Sequence, residues 1–143
     1  MTTIKKKPSI AVVGAGNWGK NLIRNFFDLN TLKIICDKDK TSLKQMQTLY
    51  PSCEFSSSLA NVLSRDDISG VVVATPAETH FLLAQKVLQS GKHVFVEKPL
   101  ALTSEVLEKI RETCRDLNER PILMVGYNRR FAPITTRVRG LFP

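Results

Sequence analysis

No run of this 143-residue chain approaches the length of a membrane-spanning helix, so no membrane partner is expected. Cysteine is scarce and odd in number. Cys36, Cys53 and Cys114 show no paired spacing, which argues against a disulfide framework and against a metal centre and fits a reducing, cytoplasmic setting. None has a base that the sequence places beside it, and each reads as a small packing residue. A leader peptide is not indicated. Lys5 to Lys7 precede an apolar stretch, but that stretch runs into a glycine turn and shows no small-residue cleavage pattern. Internal repeats and low-complexity segments are also lacking. Acids are missing from residues 1–7, which carry three lysines, and from residues 120–143, which carry five arginines. Residues 8–119 hold thirteen basic and thirteen acidic side chains, so the net charge of +8 sits at the two ends. A nucleic-acid-binding domain would carry a basic stripe across its folded face. Solvated ends explain this distribution better, and no nucleic-acid partner is expected.

What is present is one domain's length of chain, able to withdraw roughly two thirds of its unfolded surface from water. Its most informative segment is Ile10 to Gly19, where the apolar run Ile10, Ala11, Val12, Val13 leads directly into Gly14, Gly16 and Gly19. In the pattern G-x-G-x-x-G the first glycine makes a tight strand-to-helix turn. The second lets backbone approach a pyrophosphate, and the third lets the helix pack closely on the sheet. A helix over Asn17 to Leu29 would point its unpaired N–H groups and positive dipole end at the phosphates. Asp37 ends the next strand, Leu32 to Cys36, 23 positions after Gly14, where an acid can accept both hydroxyls of an adenosine ribose. A tight turn without a ligand is the plainer alternative, and this combination of features disfavours it.

Beyond Asp37 the chain keeps alternating. Helices are expected over about Thr41 to Leu49, Leu59 to Ser64, Thr79 to Gln89 and Ser104 to Asn118. Strands are expected around Glu54 to Ser56, from Gly70 through Ala74, from His93 to Val96 and from Ile122 to Val125. On the fourth helix Leu82, Leu83, Val87 and Leu88 recur at helical spacing, and Gly91 is placed to cap its end. On the fifth, Val106, Leu107 and Ile110 form the apolar face, with Glu108 and Glu112 paired to neighbouring cations opposite. This order specifies an α/β fold with a doubly wound, mainly parallel sheet of about six strands. Gly14 to Gly19, Asp37, Thr75 to His80, Glu97 to Pro99 and Asn128 to Arg130 all follow carboxyl ends of expected strands, the edge where such sheets bind ligands.

Several side chains at that edge have two readings. Lys98, just past a strand end, either exchanges a proton with a sugar oxygen or is a surface lysine. Glu97 either bonds a ribose hydroxyl or pairs with Lys98. Pro99 can hold a cis peptide, although few X-Pro bonds are cis. His80 either lines a nicotinamide pocket or makes a structural hydrogen bond at a helix start. Trp18 either shields a pyrophosphate or packs, and Lys38 either reaches a 2′-phosphate or is solvated.

Taken in order, these segments resemble the N-terminal half of the Gfo/Idh/MocA oxidoreductases, the glucose-fructose oxidoreductase and inositol dehydrogenase family. The resemblance rests on the glycine turn with Trp18 and on Ala74-Thr75-Pro76 followed by His80. It rests equally on the block from Gly91, Lys92, His93 and Val94 to Glu97-Lys98-Pro99, and on Gly126-Tyr127-Asn128-Arg129-Arg130-Phe131. It implies a Rossmann fold binding NAD, with NADP possible, through Gly14, Gly16, Asn17, Trp18, Gly19, Asp37, Thr75, Pro76, His80, Glu97, Lys98, Asn128 and Arg129. It implies that Lys98 is the catalytic lysine of a dehydrogenase acting by hydride transfer on a sugar, nucleotide sugar or polyol. The implied division is a basic tail over residues 1–9, the dinucleotide-binding domain over 10–131, and in 132–143 the start of a second, α+β domain otherwise missing here. The expected function is therefore the cofactor-binding part of such an enzyme, truncated and inactive alone, a second polypeptide being one source of the rest. The alternatives are a non-enzymatic dinucleotide-binding module and one half of a split enzyme.

Overall fold

The structure, a computed structural model, describes residues 7–117 and 121–141. The alternation read from the sequence folds as β1 (Ile10–Val13), α1 (Gly19–Asp28), β2 (Leu32–Cys36), α2 (Lys40–Leu49), β3 (Glu54–Ser56), α3 (Leu59–Leu63) and β4 (Gly70–Val73). It continues with α4 (Ala77–Gln89), β5 (His93–Val96), α5 (Ser104–Asp116), β6 (Leu123–Val125), a 3-10 turn over Asn128–Phe131 and α6 (Pro133–Arg139). Six parallel strands lie in the order β3-β2-β1-β4-β5-β6, which is the strand order of a doubly wound nucleotide-binding sheet.

Successive strand residues face opposite sides of the sheet, and both sides are covered, so the central strands are apolar throughout. Val71 and Val73 join Ala11, Val13, Ile34 and Cys36 in the core under α3, α4 and α5, while Val72 joins Val12, Ile35, Ile23 and Met46 under α1 and α2. Each such valine or isoleucine, fully buried, contributes roughly 1.5–3 kcal/mol over its exposed state. Coverage is uneven on the α1 side: Phe95 is only partly buried there and Met124 of β6 is exposed.

Several details depart from the sequence reading. Helix α1 starts at Gly19 rather than Asn17, because residues 16–18 are used in the turn. Helix α4 starts at Ala77, directly after Pro76, whose extended backbone ends the preceding loop. The inward face of α4 is His80, Ala84, Val87 and Leu88, and the helical period therefore turns Leu82 out to 56% exposure. In α5 only Ile110 is buried; Leu107 lies off that face and is exposed, and of the two acids Glu108 alone is ion-paired among the described residues, with Arg111 at 3.2 Å. The helix is described to Asp116, and Asn118 lies outside the described residues. Gly91 does take the positive φ of a helix cap, +75°.

Candidate functional site

The glycine turn separates needs of the fold from needs of a ligand. Gly14 has φ +99°, and a Cβ there would stand 2.5 Å from the Ala74 carbonyl oxygen. A Cβ on Gly19 would collide with the Gly14 carbonyl. Gly14 is required by packing of the turn on the segment that leaves β4, and Gly19 by packing of α1 on the turn itself. Gly16 is different: a Cβ there would meet nothing within 4 Å, so no protein neighbour demands a glycine. Its bare backbone faces a cavity of about 610 Å³ walled by Gly14, Gly16, Asn17, Trp18, Asp37, Lys38, Thr75 and Pro76 among others. Among the described residues the amides of Gly16, Asn17 and Trp18 have no backbone acceptor, as expected of free donors at a helix start. The residues present therefore fit a dinucleotide, whose pyrophosphate needs both close approach and these donors.

Asp37 does more than end β2. Its Oδ2 accepts from the Ala15 amide at 2.6 Å and its Oδ1 from the Asp39 amide at 2.9 Å, tying the glycine turn to the β2–α2 loop. Each carboxylate oxygen keeps a lone pair for a further donor. Lys38 is exposed on the same cavity wall. Asp39 caps α2, accepting from the Thr41 and Ser42 amides and from Ser42 Oγ, and these bonds lower its pKa.

A second cavity, of about 460 Å³, is walled by His80, Glu97, Lys98, Gly126, Asn128 and Arg129. It shares the walls Trp18, Ala74 and Thr75 with the first, so the two cavities adjoin along the carboxyl ends of the strands. Trp18 is 51% exposed at this junction, so packing accounts for little of it. Glu97 is 9% exposed with no ion pair among the described residues, and it leans against Gly126, where a Cβ would stand 3.1 Å from its Oε1. Lys98 is exposed at the mouth, and its peptide bond to Pro99 is cis. His80 is 2% exposed, with Nε2 2.7 Å from the Thr75 carbonyl oxygen and Nδ1 2.7 Å from that of Pro99. Every site residue expected from the sequence thus lines one cavity or the other, except Gly19, which packs beneath the turn.

The sequence reading passed over Ser57, Leu59 and Leu83, which with Thr79 of the Thr75 to His80 segment complete the wall of the first cavity. The signal for Ser57 was available, since it follows the carboxyl end of β3 as the other site segments follow theirs. Cys36 also lines that cavity but is buried, and burial together with the Asp37 charge pushes its thiol up to about 11. It stays protonated at neutral pH, in keeping with a packing role. Among the described residues no group of three or more His, Cys, Asp or Glu side chains could hold a metal ion, and no helix is long and apolar enough to cross a membrane.

Known proteins share this architecture. The chain is 33% identical over 149 residues to a glycosyl hydrolase family 109 protein of Shewanella putrefaciens, an alignment covering 93% of this chain and 32% of that protein. Its fold matches GenD2 from gentamicin A biosynthesis, solved in complex with NAD, with a TM-score of 0.83 and 29% identity over 95% of this chain and 39% of that one. It also matches the WlbA dehydrogenase of Bordetella pertussis, solved in complex with NADH and UDP-GlcNAcA, with a TM-score of 0.84 and 27% identity over 94% of this chain and 41% of that one. The chain thus spans about a third of the length of the curated relatives it matches. The family described as "Oxidoreductase family, NAD-binding Rossmann fold" matches residues 9–127, and the chain belongs to it, the Gfo/Idh/MocA oxidoreductases, carrying their NAD-binding domain.

Proposed function

We propose that this chain is the cofactor-binding part of a dehydrogenase that moves hydride between a carbinol carbon of a sugar, nucleotide sugar or polyol and NAD. The observation that carries the reading is the adjacency of the two cavities, which share the walls Trp18, Ala74 and Thr75, so that Lys98, Glu97, Asn128 and Arg129 line the cavity next to that of the glycine turn. When bound, the nicotinamide supplies the hydride chemistry. Gly16 and the free amides of residues 16–18 hold the pyrophosphate. Asp37 accepts the ribose hydroxyls and repels a 2′-phosphate, an effect that Lys38 blunts, so NAD is preferred over NADP. Thr75, Pro76 and His80 form the floor, and Glu97 accepts from the second ribose. Lys98 exchanges a proton with the substrate oxygen, while Asn128 and Arg129 contact the nicotinamide end or the substrate.

Lys98 faces open water here, and hydride transfer needs a substrate held in contact in a site that excludes water. A second domain must supply that wall, from the same polypeptide or another. An exposed apolar stripe supports its docking place: Phe131, Ile134, Val138 and Leu141 recur three and four residues apart through the 3-10 turn and α6, at 45–69% exposure. On this reading the basic residues 1–9 precede the binding domain of 10–131, and 132–143 lead into the second domain; residues 1–6, 118–120, 142 and 143 of these spans lie outside the described residues. The enzyme is a cytoplasmic one with no nucleic-acid partner. The names of relatives favour a carbohydrate substrate, since one is called a glycosyl hydrolase and another was solved with UDP-GlcNAcA.

Titration of the purified chain with NAD, NADH, NADP and NADPH tests the first half of the proposal. Weak binding of NAD(H) without dehydrogenase turnover is expected; equal or tighter NADP binding refutes the role of Asp37, and robust turnover by the chain alone refutes the need for a second domain. With a matching second domain supplied, Lys98→Met should lower turnover by roughly two orders of magnitude or more while leaving cofactor affinity nearly unchanged. Turnover that survives the substitution removes Lys98 from the chemistry.

A further inference from the structure

His80 sits in the first turn of α4 and reaches two carbonyl oxygens on two different loops, that of Thr75 at the end of β4 and that of Pro99 beyond β5. Among the described residues no other side-chain hydrogen bond joins those loops, which are otherwise linked through the sheet by the Glu97 amide to the Val73 carbonyl at 2.9 Å. Thr75 walls both cavities, and Pro99 follows Lys98 directly. The imidazole therefore spans from the floor of the cofactor cavity to the segment that carries Lys98.

The chemistry of this bridge is unusual. Carbonyl oxygens only accept, and both contacts are 2.7 Å long. A neutral imidazole has a single N–H, so it satisfies one carbonyl and turns a nitrogen lone pair toward the other; a ring protonated on both nitrogens satisfies both. At 2% exposure no water can take over the second contact. We propose that His80 is a positioning residue which straps the Lys98 segment to the cofactor floor by donating from both ring nitrogens, so that the strap slackens when the ring loses its second proton. The proposal rests on the function given above only in taking the crevice as the cofactor site.

The charged groups on the wall beside the ring are Glu97, Lys98 and Arg129, and Glu78 on its own helix is exposed. The charged residues that α5 sets against α4, Lys109, Glu112 and Asp116, stand beside Gln85 and Gln89, one to two turns further along. The chain has one other histidine, His93, which begins β5 at the opposite edge of the sheet. Its Nδ1 accepts from the Ile122 amide at 2.9 Å, so it makes a single contact of the opposite sense. It serves as the internal control.

The test is nitrogen-15 NMR of the histidine rings of the purified chain, with NADH affinity measured by fluorescence in the same buffers between about pH 5.5 and 9.5. His80 should show protons on both nitrogens at the acid end. Loss of the second should coincide with a weakening of NADH by about three- to tenfold, the worth of one hydrogen bond. His93→Gln should follow the unmodified chain, whereas His80→Gln should bind NADH more weakly and lose that pH step. A ring singly protonated throughout, or an NADH affinity indifferent to loss of the second proton, overturns the proposal. If His80→Gln does not fold, the NMR titration of the unmodified chain and of His93→Gln decides. If NADH fails to bind at all, the proposed function falls while the ring's protonation still reads the strap.

Discussion

The three glycines of the turn offer a direct way to separate architecture from ligand. Gly16→Ala adds a methyl that meets no protein atom within 4 Å, and the φ of Gly16 lies outside the left-handed region. Such a substitution, by restricting the unfolded chain, stabilises by about 0.4–1 kcal/mol. The same methyl stands in the cavity where a pyrophosphate must approach the backbone, and crowding of that kind costs about 1–3 kcal/mol, or about five- to 150-fold in affinity. Gly14→Ala should behave in the opposite way. A side chain at φ +99° costs about 1–2 kcal/mol, and displacing the Ala74 carbonyl, 2.5 Å from the new Cβ, adds about 1–3 kcal/mol. The sum, about 2–5 kcal/mol, is a large share of the roughly 5–15 kcal/mol that holds an ordinary domain together. Urea unfolding and NADH fluorescence titration of both variants distinguish the outcomes. Gly16→Ala should unfold at the same or slightly higher urea and bind NADH poorly, whereas Gly14→Ala should unfold early. If Gly16→Ala binds NADH as well as the unmodified chain does, no pyrophosphate lies against residue 16 and the site has been placed wrongly.

Three further predictions concern two titrating groups, Cys36 and Asp39. Because burial raises the Cys36 thiol to about 11, the folded chain should react with a disulfide reagent at about pH 8 first through partly exposed Cys114 and last through Cys36; fast labelling of Cys36, read by peptide mass, refutes its burial. The same shift keeps the proton on in the folded state while the unfolded thiol loses it near pH 8.5, so this group's contribution to stability is full below that pH and declines as pH rises toward about 11. Cys36→Ser should remove that part of the alkaline decline in urea midpoint. Asp39 is shifted the other way, with its carboxylate held low by Ser42 and the Thr41 and Ser42 amides. Its cap therefore stabilises the chain above about pH 4 and is lost as pH falls through the folded value. Asp39→Ala should lower the melting temperature at neutral pH and leave it unchanged in strong acid, and an equal loss at both pH values refutes the capping role.

What could be read from the sequence followed from rules that act over a few residues. Alternation of apolar runs with helical periods specifies six strands and their order of appearance, and the glycine spacing with Asp37 marks the turn that walls the first cavity. Boundaries moved where local chemistry competed, as at residues 16–18, which serve the turn instead of opening α1. Apolar residues were assigned to faces less well, because a period identifies a stripe without saying which side the neighbouring layer covers. Leu82 and Leu107 matched the count yet face water, since the inward faces of α4 and α5 centre on Ala84 and Ile110.

What the sequence did not reveal depends on strand register. Residues 13 and 36 pair across β1 and β2 after a one-residue irregularity between Ile10 and Ala11, and this register brings Asp37 Oδ2 to the Ala15 amide. Residues 73 and 96 pair across β4 and β5, which brings Thr75 and Pro99 to either side of His80. A spacing of 22 or 19 residues gives no sign of such contacts. They arise because parallel strands align their carboxyl ends, and the loops that leave those ends must satisfy one another's polar groups wherever water is excluded. Asp37 and His80 meet that need within the protein while facing the crevice, so the residues that shape the site also close its scaffold. Substituting either one will disturb binding and folding together, and this is why Gly16, where an added methyl meets no protein atom within 4 Å, is the cleaner probe of the ligand.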